Sequence, residues 1–72
     1  MKAGKVIEAA YATFSQYGDE VYAKTKANSF VYRCGVRGND PEQEVSTETI
    51  KNIVYAMLDE DSEKVFWTHL NK

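Results

Sequence analysis

Ser29-Phe30-Val31-Tyr32-Arg33-Cys34-Gly35-Val36-Arg37 is the stretch whose reading decides the fold. It is dense in β-type residues, holds the single cysteine, and carries two arginines in a chain that is acidic overall. Phe30, Tyr32, Cys34 and Val36 alternate with Val31, Arg33 and Gly35, a period of two that predicts a strand with one buried face. Upstream, Val21, Ala23 and Thr25 alternate with Tyr22, Lys24 and Lys26, which reads as a partner strand. Lys26-Ala27-Asn28-Ser29 is then the hairpin loop. The alternative is an all-α chain, with Asp19 capping a helix that ends at Asn28, at the expense of a poorer apolar stripe.

The flanks read as helices. Over residues 3–17, Val6, Ile7, Ala10, Phe14 and Tyr17 recur at helical spacing, with Glu8, Thr13, Ser15 and Gln16 mostly off that face. Gly18 is placed to end this helix. Its start has no side-chain cap, and Lys2 and Lys5 oppose the dipole, so the first turn is expected to fray. Gly38-Asn39-Asp40-Pro41 is a turn, because Gly and Asn tolerate positive φ and Pro41 pushes Asp40 out of the helical region. Glu42–Val45 is a candidate short third strand. Ser46 is an N-cap for a helix whose core stripe is Ile50, Ile53, Val54, Met57 and Leu58, with Val45 stapled onto Ile50. Continuing that helix would put Asp61 into the stripe, so a break is expected, with Asp61 capping a last helix that buries Val65, Phe66 and Leu70. The expected fold is a small α+β domain over residues 1–72, in the order helix, β-hairpin, helix, helix.

Composition narrows the classes. Seventy-two residues with one cysteine make no internal disulfide scaffold, and a core of that size supplies only about 3–5 kcal/mol. Self-association is therefore an expectation. Lys2, Lys5 and the early Glu8 leave no apolar core for a signal peptide, and no run approaches the ~20 residues of a membrane span, so a cytoplasmic location is expected. A chain of this size suits a phage- or mobile-element-encoded regulator.

Charge is divided along the chain. From Val21 to Asn39 the charged residues are Lys24, Lys26, Arg33 and Arg37; from Asp40 to Lys64 eight carboxylates face Lys51 and Lys64. Four cations beside Tyr22, Phe30 and Tyr32 suit phosphate contact and base stacking, which gives nucleic-acid binding through Lys24, Lys26, Arg33, Arg37 and Tyr22 as the alternative function. A solvated basic face answered by the acidic helices accounts for the same pattern, and net acidity weighs against nucleic acid.

Chemistry-bearing constellations are thin. Cys34 and His69 are each single, and Cys34 reads as a small core hydrophobe. Asp59, Asp61 and Glu63 have the spacing of the first ligands of a calcium loop, but Lys64 stands at its glycine and Leu70 at its bidentate glutamate. No catalytic residue, metal or cofactor is assigned. Tyr55 and Trp67 lie off the core stripes of their helices, and exposed aromatics are enriched at binding hot spots. The reading is a non-enzymatic binding or regulatory module that engages a protein partner, or a second copy of itself, through Tyr55, Trp67, Arg33 and Arg37.

Overall fold

A computed structural model describes all residues, 1–72. The chain is all-helical: α1 (Ala3–Phe14), α2 (Glu20–Arg33), α3 (Thr47–Met57) and α4 (Glu60–Leu70). No sheet is present, and an isolated antiparallel bridge between Lys2 and Glu44 is the sole β pairing. The expected hairpin is therefore wrong, and so is the α+β class. The first proposed strand and the second as far as Arg33 belong to one helix.

The reason lies in which residues are buried. A period of two always includes i and i+4, so Phe30 and Cys34 satisfy a strand and a helix equally well. Val31 and Tyr32 discriminate between them. Val31 is fully buried and Tyr32 is 70% exposed, the reverse of the strand expectation. The buried set Ala23, Ala27, Phe30, Val31 and Cys34 follows the i, i+4, i+7, i+8, i+11 spacing of a helix face. Two of its members are alanines, which is why the stripe looked poor as a sequence. Val21 and Tyr32 are exposed and merely mimic strand residues.

End chemistry fixes the helix further. Asp19 is the N-cap, and its Oδ1 accepts a hydrogen bond from the Tyr22 backbone N–H at 2.8 Å. At the other end Gly35 takes φ +94°, the Gly35 N–H donates to the Tyr32 carbonyl at 3.0 Å, and the Val36 N–H donates to the Val31 carbonyl at 3.0 Å. These two bonds define a Schellman stop, and the buried Val36 and Val31 supply its usual apolar closure. Gly35-Val36 is thus a helix terminator, where the alternation had made it the end of a strand.

Phe30 is also the centre of the core. Its ring lies 6.5 Å from Phe14 of α1 and 5.1 Å from Phe66 of α4, and Phe66 in turn meets Trp67 edge-on at 5.2 Å. α1 packs against both α2 and α4, while α3 reaches α2 more lightly. The buried apolar side chains form one cluster. The chain exposes 4574 Å², close to the ~4500 Å² expected of a compact monomer of this mass.

α1 departs from expectation in three ways. Its first turn is not frayed, because the Ala3 and Gly4 N–H groups donate to the backbone carbonyls of Gln43 and Pro41 at 2.8 and 2.9 Å. Backbone from the 41–45 segment does the capping that no side chain does. Gly4 makes room for this, since a Cβ there would stand 3.2 Å from the Pro41 Cβ. The Gln43 side-chain amide braces the same loop, donating to the Gly35 carbonyl at 2.6 Å and accepting from the Arg37 N–H at 3.1 Å. Thr13, expected off the core face, is fully buried, its hydroxyl bonded back to the Ala9 carbonyl. Tyr17 in turn lies beyond the helix and is half exposed.

The C-terminal half follows its expected order. Ser46 caps α3, its Oγ accepting from the Thr49 N–H at 3.1 Å, and Val45 and Ile50 are both buried. Glu42–Val45 forms no strand beyond the Lys2–Glu44 bridge. Leu58 is extended and breaks the helix. The cap of α4 is Asp59 rather than Asp61: the Asp59 Oδ1 accepts from the Ser62 N–H at 2.8 Å, which holds its carboxyl below the usual range.

Candidate docking groove

α1 and α2 pack closely, and the buried positions along α2 next to the groove are small, Ala23 and Ala27. Above Ala27 the two helices leave a mostly apolar groove of about 420 Å³, lined by Ile7, Glu8 and Tyr11 from α1 and by Lys24, Ala27 and Asn28 from α2. Ile7 and Tyr11 are one turn apart on the flank of the α1 core stripe and are partly buried. Glu8 marks the α1 wall. On the α2 wall the Lys24 ammonium is 3.0 Å from Glu20, and that hydrogen bond holds it above its ordinary pKa. One turn beyond Asn28 stands Tyr32, and one turn before Thr25 stands Val21, which is 73% exposed.

The cations expected to act together are separated by the helix. Lys24 lines the groove. Tyr22, Lys26 and Arg33 share a different flank of α2, at i, i+4 and i+11, where the Lys26 ammonium sits 5.9 Å from the centre of the Tyr22 ring. Arg33 is exposed in the last turn of α2, where its charge complements the dipole, and Arg37 is exposed in the loop that follows. Neither arginine forms an ion pair.

Tyr55 and Trp67 differ in setting. Tyr55 is 89% exposed on the outer face of α3 and lines no groove. Trp67 is half-buried, packed edge-on against Phe66, and its Nε1–H donates to Glu63 at 3.3 Å. A second concavity, lined by residues that include Tyr17, Tyr22, Met57 and Leu58, is bridged by the Ser62 hydroxyl donating to the Tyr17 hydroxyl at 2.7 Å. Cys34 is buried at the C-cap of α2, and burial pushes its thiol up to about 11. It is therefore protonated at neutral pH and a poor nucleophile.

Ile7, Tyr11 and Asn28 in the groove, and the outward Tyr32 one turn beyond it, are the residues that sequence reasoning did not assign to a site. Ile7 and Tyr11 were detectable as an i, i+4 apolar pair beside the core stripe. Tyr32 was not, because the strand reading placed it in the core. These features define a small four-helix domain with a charge-rimmed apolar groove. No family model matches the chain, and no curated protein or solved structure is similar to it.

Proposed function

We propose that this chain is a non-enzymatic interaction module whose α1/α2 groove binds a protein partner, itself included. The observation that carries the reading is the groove over Ala27: apolar along Ile7 and Tyr11, and rimmed by one carboxylate and one ammonium. Apolar floors bounded by polar rims are the usual anatomy of a protein-binding patch. Tyr55 offers a lone aromatic without a concavity, and Trp67 is already engaged with Phe66 and Glu63. The nucleic-acid alternative has less support, since Lys24 lies on a different flank of α2 from Lys26 and Arg33, and the four cations form no common patch.

Site-specific photocrosslinking tests the reading. A photoreactive side chain at Tyr11 is expected to capture a partner that the same group at Tyr55 does not. Binding of that partner, once purified, should be lost on Tyr11→Glu. Equal capture from both positions, or binding indifferent to Tyr11→Glu, would contradict it.

A further inference from the structure

We infer that the occupant of the groove is a second copy of this chain, joined across a two-fold axis with Tyr32 of each copy seated in the groove of the other. The inference rests on reading the groove as a docking site, and it adds the identity of the guest. A two-fold contact places the same patch on both sides, so each copy must carry both members of every complementary pair. This surface does. It holds a groove, lined by Ile7, Tyr11 and Ala27, and beside it an aromatic side chain able to fill such a groove, Tyr32, which is 70% exposed. It also holds an anion, Glu8, and a cation, Lys24, on opposite walls.

Antiparallel approach of two copies brings Glu8 of each toward Lys24 of the other and sets Tyr32 over the partner's floor. Tyrosine suits this position, because it buries a large ring and keeps its hydroxyl at the wet rim. The Glu20 carboxylate, 3.0 Å from the Lys24 ammonium, holds the cation at the groove edge and leaves donors free for a second carboxylate. The monomer's surface is already that of a compact chain. Dimerisation is therefore not required for folding, and it should appear as a reversible, concentration-dependent equilibrium.

Sedimentation equilibrium from micromolar to millimolar concentration, with circular dichroism as the control for folding, tests the proposal. The wild-type chain is expected to dimerise, and Tyr32→Ala to weaken the dimer by about tenfold or more. Glu8→Lys and Lys24→Glu should each weaken self-association when alone. Mixed together they should pair, because in a two-fold heterodimer every reversed charge again meets its opposite. A wild-type chain that stays monomeric at millimolar concentration overturns the inference, as does a dimer unchanged by Tyr32→Ala or a mixture that fails to pair. If the chain is monomeric while Tyr11→Glu abolishes binding of a different purified protein, the second copy is ruled out and the groove reading stands. A dimer indifferent to Tyr11→Glu, Tyr32→Ala and both reversals puts the interface elsewhere and overturns the inference, and the groove reading falls with it only if the photocrosslinked partner is also indifferent to Tyr11→Glu.

Discussion

Helices α2 and α3 solve the same problem by different means. α3 turns two bulky buried residues, Ile50 and Val54, toward the core, and ends at an extended Leu58 without a glycine. α2 turns two alanines inward along its first half, concentrates its bulk in Phe30 and Val31, and is held at its ends by Asp19 and Gly35. Their outer faces differ in consequence. The small inward side chains of α2 leave a groove against α1, whereas α3 leaves Tyr55 standing alone. A helix built on alanine depends more on its caps and on one large anchor, and it leaves room beside it for a guest.

The largest effects should come from the two anchors. Phe30→Ala removes the ring that joins α1 to α4, at a cost of about 3–5 kcal/mol. That is comparable to the whole stability of a domain of this size, so circular dichroism should find the variant unfolded. Ile50→Ala, with a typical range of about 2–5 kcal/mol, removes a residue from a helix that packs more lightly, and it should fall near the low end. Equal losses in urea denaturation would break the contrast between the helices.

The stop comes next. At Gly35 nothing stands within 4 Å of a built Cβ, so Gly35→Ala is penalised by backbone conformation alone, at about 1–2 kcal/mol. The corresponding end of α3 has no residue with that sensitivity. Asp19→Ala and Ser46→Ala each lose a side-chain bond to a backbone N–H, worth about 1 kcal/mol, and Ser46→Ala also loses the contact with the Thr49 hydroxyl, so its cost should be at least as large.

The smallest effect is electrostatic. The carboxyls of Asp59 and Glu44 are held low, the first by the Ser62 N–H and the second by the terminal ammonium of Met1. A carboxylate whose folded pKa is depressed adds stability above its unfolded value, near pH 4, and loses it as pH falls through the folded one. Thermal unfolding should therefore drift downward below about pH 4, and Asp59→Asn should flatten part of that drift.

The legibility of the fold follows the same division. α3 was readable because branched side chains at i, i+3 and i+4 follow a serine cap, and tertiary contacts agree with both signals. α2 was misread because its β-branched and aromatic residues, Val21, Tyr22 and Tyr32, lie on the outside, where intrinsic preference and burial point in different directions. The backbone cap of α1 by Pro41 and Gln43 lies some forty residues away in sequence and leaves no local trace. Half of the groove was visible as the Ile7–Tyr11 pair. The other half depended on α2 being a helix.

A concentration series of ¹H–¹⁵N correlation spectra on the labelled chain tests the central claim most directly, because it reads both outer faces at once. Signals of Ile7, Glu8, Tyr11, Lys24, Asn28 and Tyr32 should move together as concentration rises, while those from Thr47 to Met57 on α3 stay fixed. Movement centred on Tyr55, or a spectrum that does not change with concentration, would contradict it.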